Sequence, residues 1–267
     1  MRSLLARMGK LLFVALLAWS TPAVALDLDL YAGLLARHTQ TVSDAAGTRV
    51  DYAALRADPA WRRLVASLAA AEPGALSARD ERLAFWINAY NVLAIDWLVR
   101  EGPVESIRDL GSLLRPVWKK KAGEIGGRDV TLDEIEHRIL RPLAEPRIHM
   151  AIVCASTSCP SLRREPFRAA DLEPQLDEQA RAFLADPRKG LALDRTARVA
   201  RISKIFDWFA GDFDASGGVR AFLAHHAPEP ERAWLAEQGP RLALRYLEYD
   251  WRLNGTGSRP GRPEAGS

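Results

Sequence analysis

The chain is short of the residues that usually announce a chemistry. Its 267 residues include two cysteines, three methionines and five histidines, too few for a cysteine-rich zinc module or a disulfide-dense scaffold. An excess of charge is missing as well. Against 34 acidic residues stand 37 Lys and Arg, for a formal net charge of +3, and Arg2, Arg7 and Lys10 in the first ten residues supply that surplus. The rest is balanced, which removes the electrostatic ground for a nucleic-acid partner. No Gly-rich phosphate loop, G-x-S-x-G elbow or H-E-x-x-H pair occurs. That speaks against nucleotide hydrolysis, serine hydrolases of that type and zincins, and no cofactor is expected. No apolar run reaches the roughly 20 residues that cross a bilayer.

What is present is ordinary globular material, 48% hydrophobic and 27% charged. Residues 1–25 read as a signal peptide: a basic start, an apolar run from Leu11 to Trp19, and Ala23-Val24-Ala25 as an A-x-A close. Cleavage would leave Leu26 first, with no cysteine there for lipid attachment and no transmembrane anchor. The expectation is an exported soluble protein, periplasmic or secreted, in a compartment where nearby thiols pair. Residues 26–254 read as one domain. The tail 255–267 has no aliphatic residue beyond a single alanine, no aromatic, and several Gly and Pro, so it is expected to be disordered.

Helix signals dominate. Ser77 with Asp80 and Glu81 predicts a helix that runs to Arg100 before Gly102-Pro103, and apolar residues surround its whole circumference, as for a helix buried on all sides. Thr131 with Glu134 predicts a second helix through Ile139, and Asp171–Leu184 a third with Leu172, Leu176, Ala180 and Phe183 inward. Ile148–Cys154 reads as a buried central strand, Leu191–Asp194 with Val199–Ile202 as a hairpin, and Leu242–Trp251 as a last strand. The fold class is α+β: a mostly helical single domain around a small β-sheet, with one central buried helix.

Several segments in fixed order carry a family resemblance. They are Val50-Asp51-Tyr52; AFWINAYN over 84–91; Ile135-Glu136-His137 with Leu140-Arg141-Pro142; Ile148-His149 through Cys154, then Ser158-Cys159-Pro160; ISKIFDW over 202–208 with Asp212-Phe213; and the closing Tyr249-Asp250-Trp251. The chain thereby resembles the DUF547 domain family, whose name carries no activity, so the sites are read from chemistry.

Asn88 and Asn91 are about 60 degrees apart on the buried helix, so both amides point one way. They either tie down neighbouring backbone or orient an imidazole or a ligand. Glu136 falls within the apolar stripe of its helix, where a carboxylate must pair with a cation, such as Arg141 or Arg147, or raise its pKa. His149 and Cys154 are five apart, on opposite faces of an unbroken strand, so Cys159 is the better thiol partner for His149. Cys159-Pro160 also reads as the start of a short helix, whose dipole would favour a thiolate. The competing reading is a Cys154–Cys159 disulfide. The spacing of His137, His149, Cys154 and Cys159 does not support a metal site. Lys204 at a rim could bind an anion, and Asn91 and Lys204 are the candidate ligand-binding residues.

Two functions follow. One is a thiol-dependent hydrolase or acyl transferase of papain-like logic, with Cys159 or Cys154 as nucleophile, His149 as base, and Asn88 or Glu136 as orienter. The other is a non-catalytic envelope protein, binding or structural, with the cysteines crosslinked. A peptide or cell-envelope ligand suits either. Geometry further predicts that Asn88, Glu136 and His149 converge on one pocket.

Overall fold

The structure is a computed structural model that describes residues 26–112 and 115–257. The expected leader, 1–25, lies outside the described residues, as does 258–267 of the expected tail. The chain forms a mostly helical α+β domain organised around one helix, Arg79–Glu101. Glu81 starts it by accepting from the Ala78 N–H (3.1 Å), so the N-cap is Ala78, next to the expected Ser77. Every side chain from Leu83 to Val99 is buried. The one carboxylate among them, Asp96, is satisfied by the Trp61 indole N–H (2.9 Å) and by Arg100 (2.7 Å).

Helices Leu28–His38, Tyr52–Ala57 and Pro59–Ala69 precede it, and each is opened by an aspartate: Asp27, Asp51 and Asp58 accept the backbone N–H of Leu30, Ala54 and Ala60. Strands are minor. Thr39–Thr41 pairs with Thr48–Val50, and Lys121–Ile125 with Arg128–Thr131. The expected hairpin Leu191–Asp194 and Val199–Ile202 is present, and Val199–Ile202 also pairs in parallel with Ala243–Tyr246. The last strand is thus shorter than Leu242–Trp251, and among the described residues the strands form three small sheets where one was expected. Gly190 lets the hairpin approach the Leu172–Leu184 helix, since a Cβ there would lie 1.8 Å from the Phe183 carbonyl oxygen.

Two expectations fail for instructive reasons. Ile148–Cys154 is not a strand: Ile148–Ala151 is one helical turn, followed by extended chain. The segment is buried, as its apolar residues require, yet helix side chains take the place of neighbouring strands. Asn91 donates to the Ala151 carbonyl (3.0 Å) and accepts from the Val153 N–H (2.8 Å), while Gln179 donates to the Met150 carbonyl (3.1 Å). The helix after Thr131 begins as expected, with Thr131 Oγ1 accepting from Glu134 N–H (3.0 Å). It then widens to a π-helix over Ile135–Leu140 and tightens to a 3₁₀ turn over Arg141–Leu143, so counting 100 degrees per residue fails beyond Glu134.

Gly255 and Thr256, assigned to the tail by composition, are instead paired with the domain. The Thr256 N–H donates to the Val50 carbonyl (3.0 Å), and Arg49 donates to the Gly255 carbonyl (2.7 Å).

The apolar interior has two parts. The larger surrounds the central helix; the smaller gathers Phe183, Leu184, Ile202, Phe206, Phe213 and Phe222. The Ile148–Ala151 turn joins them, with Ile148 and Ala151 in the larger and Met150 in the smaller. His149 therefore sits at their seam.

Candidate functional site

His149 is fixed on three sides. Its ring stacks on Phe209 with centroids 4.1 Å apart, its Nε2 meets Asp212 Oδ2 at 2.8 Å, and its Nδ1 lies 3.9 Å from Glu136 Oε1. Asp212 comes from the 3₁₀ segment Ala210–Ser216 and is held by both arms of Arg141, Nε at 2.6 Å and Nη2 at 2.7 Å. Burial works to raise the Asp212 pKa, but the hydrogen bonds from Arg141 and His149 outweigh it, and the carboxyl stays below its ordinary value. An ionised carboxylate only accepts, so His149 donates through Nε2 and its Nδ1 carries the lone pair. Burial, opposed by Asp212, lowers the His149 pKa to about 4. The ring is a neutral base at physiological pH.

Glu136 answers the question its position posed. Neither Arg141 nor Arg147 pairs with it directly: Arg141 grips Asp212, and Arg147 binds Glu145, Glu173 and Asp177. Burial raises the Glu136 pKa to about 7, with the Arg141 charge opposing and the Asp133 and Asp212 charges assisting. Near neutrality this group holds or releases a proton in reach of His149.

Both residues line a cavity of about 180 Å³ with Tyr90, His137, Cys154 and Cys159, walled by Trp118, Trp208, Tyr249 and Trp251. Trp208 and Trp251 stack at 5.7 Å, and Trp208 remains 45% exposed. His149 and Cys154 thus share a cavity, which corrects the expectation that they face apart: that inference needed a strand, and the chain turns here.

Cys154 and Cys159 form a disulfide, Cα–Cα 6.2 Å, across a loop in which Ala155 adopts φ 62. No helix starts at Pro160, so the dipole expected at Cys159 is absent. Two other donors replace it. The Cys154 N–H points at Cys159 Sγ (3.0 Å), as does the Tyr249 hydroxyl (3.3 Å), which itself accepts from Ser156 Oγ (3.2 Å).

Asn88 does not join the pocket. Its amide donates to the Phe167 carbonyl (2.7 Å) and accepts from the Phe167 N–H (2.9 Å), which fills both ends of the group. Asn91 is likewise committed to Ala151 and Val153, and Lys204 does not line the cavity. The expected convergence of Asn88, Glu136 and His149 holds for the last two alone. The residue that orients His149 is Asp212, which sequence reasoning did not single out. Its signal was present in Asp212-Phe213, one of the segments that carry the family resemblance, as Tyr249 was in Tyr249-Asp250-Trp251.

Residues 73–184 match the family model described as "Protein of unknown function, DUF547". That span holds Tyr90, Glu136, His149, Cys154 and Cys159; Asp212, Trp208, Tyr249 and Trp251 lie beyond it. No curated protein and no solved structure matches the chain. The match spans the central helix, the His149 turn and the cysteine loop, and over these residues the chain is similar to the DUF547 family.

Proposed function

We propose that this protein is a thiol-dependent hydrolase or acyl transferase whose acid–base centre is the Asp212–His149 pair. The observation that carries the reading is the direction of the His149 ring. Nε2 is taken by an ionised carboxylate at 2.8 Å, leaving Nδ1, 3.9 Å from Glu136 Oε1, as the free basic nitrogen of a ring that lines the same cavity as both cysteines. A carboxylate that fixes tautomer and orientation, an imidazole that takes the proton, and a thiol that attacks are the parts of nucleophilic acyl transfer. Once the disulfide is opened, a cysteine thiol gives its proton to His149, attacks an acyl carbon, and forms a thioester that water or an amine resolves. Glu136, holding a proton up to about pH 7, supplies the leaving group's proton.

The aromatic wall supports an acyl donor with an apolar or aromatic flank, such as a peptide or cell-envelope fragment. We place the protein outside the cytosol, a reading supported by the A-x-A segment ending at Ala25 and by the disulfide.

The test is the pH dependence of iodoacetamide alkylation after reduction. Wild type should alkylate one thiol rapidly, and His149→Ala should slow that thiol by about 10²-fold or more, in the range a positioned base contributes. Equal rates in both proteins would remove His149 from the chemistry. A second reading, a binding protein with no reaction, is favoured by the closed disulfide and the aromatic wall; it predicts ligand retention by the unreduced protein and no acylation after reduction.

A further inference from the structure

The donors around Cys159 do not suit a sulfur that stays in a disulfide. A disulfide sulfur accepts hydrogen bonds weakly, and a thiolate accepts them strongly. Yet the Cys154 N–H (3.0 Å) points at Cys159 Sγ alone, and the Tyr249 hydroxyl, which accepts from Ser156 Oγ, lies nearer Cys159 Sγ (3.3 Å) than Cys154 Sγ (3.5 Å), whose other neighbour is Ser156 Oγ (3.2 Å). Tyr249 is held as a neutral phenol by burial, which raises its pKa far above the usual range. The two cysteines are also unequal in access: Cys159 is 4% exposed, while Cys154 is half-buried at the cavity wall.

We infer that Cys154–Cys159 is an exchangeable redox couple, open to a low-mass thiol through the cavity, with Cys154 as the attacked sulfur and Cys159 as the stabilised leaving thiolate. A donor thiolate attacks Cys154 Sγ, a mixed disulfide forms, and the electron pair of the broken S–S bond leaves on Cys159. A second donor thiolate then attacks the donor sulfur of that mixed disulfide and releases Cys154. Two donor thiols become one disulfide, the protein disulfide becomes two thiols, and the two donor protons end on the cysteines. A leaving thiol stabilised as its anion departs faster, which is the contribution of the N–H and the phenol. This exchange does not require acyl transfer, so it stands or falls independently of the function proposed above.

Glutathione is the probe. Folded wild-type protein is placed in a glutathione redox buffer, quenched with acid over time, and mapped by peptide mass, with the far-ultraviolet spectrum followed in parallel. The disulfide should open while the spectrum is unchanged, and glutathione should appear on Cys154 at least about tenfold more than on Cys159, since the poorer leaving group is disfavoured. Tyr249→Phe should slow the first step by roughly tenfold, for loss of one donor to the thiolate. Because that variant could fold poorly, Cys159→Ser and Cys154→Ser serve as a second comparison: with oxidised glutathione, the first should form the adduct faster. Opening only after the spectrum collapses would make the bridge a static crosslink and overturn the inference. So would an adduct that maps to Cys159.

Discussion

His149 and Asp212 meet at 2.8 Å although 63 positions separate them in sequence. The contact joins the turn between the two cores to the 3₁₀ segment that carries Phe213 and is preceded by Phe209, so the polar centre and the aromatic packing form together. Arg141, one-third exposed over Phe209 with its guanidinium 5.5 Å from the ring, completes the arrangement.

Asp212→Asn keeps the shape and removes the charge. The amide can donate to Nε2, which turns the imidazole to the tautomer with its proton on Nδ1 and abolishes the base. Acyl transfer by the reduced protein should fall by on the order of 10³- to 10⁴-fold, the scale seen when a triad carboxylate becomes an amide. Ring nitrogen chemical shifts of His149 should exchange roles between the two proteins; an unchanged tautomer would contradict the account.

Glu136 gives stability a pH dependence of known sign. Its folded pKa, about 7, exceeds the ordinary 4.5, so its contribution is complete below about 4.5 and is lost as pH rises through 7. Glu136→Gln carries no titration and should be more stable than wild type at pH 8, by at most about 3 kcal/mol, with little difference at pH 4. His149, lowered to about 4, has the opposite sign, gaining stability as pH rises from 4 to 6.5, and cancels in this comparison. Chemical denaturation of both proteins at the two pH values decides it.

The same two groups predict a bell for kcat/KM, rising as His149 loses its proton near 4 and falling as Glu136 loses its own near 7. Glu136→Gln should flatten the alkaline limb and leave the acid limb in place. An alkaline limb that survives the substitution would assign it to another group.

Asn88 should behave as structure alone. Asn88→Ala strands the Phe167 N–H and carbonyl in a buried place, at a cost of about 1 to 3 kcal/mol for each unpaired group. The melting temperature should drop clearly, while the alkylation rate of the reduced thiols stays at the wild-type value. A selective loss of thiol reactivity would return Asn88 to the site.

The sequence made the central helix legible because its apolar residues leave no solvent face from Leu83 to Val99. The hairpin at Leu191 was equally plain, since its alternation and turn residues are local. What stayed hidden depended on partners far along the chain. Ile148–Ala151 has the composition of a buried strand, and only Asn91 and Gln179, arriving from two helices, reveal why no strand is needed. Glu136 was found because a carboxylate in an apolar stripe is a local anomaly, even though the π-helix spoils the angle count. Asp212 was missed because a surface-like aspartate beside phenylalanine carries no local anomaly, and its role appears only when His149 and Arg141 are brought to it.

The cysteine bridge closes a short loop, so it restrains the unfolded chain little. Changing both cysteines to serine should cost less than the typical 2 to 4 kcal/mol of a native disulfide. Denaturant unfolding checks this; loss of folding would show that the bridge organises the cavity wall as well as the loop.

The most direct measurement is acylation of the reduced, folded protein by an activated ester, followed by intact mass and peptide mapping. One acyl group per molecule is expected, on Cys154 or Cys159, formed in a burst, lost with both cysteines changed to serine and strongly slowed in His149→Ala. Wild-type protein that stays unacylated after complete reduction, or acylation that persists without the cysteines, would contradict the thiol-dependent centre.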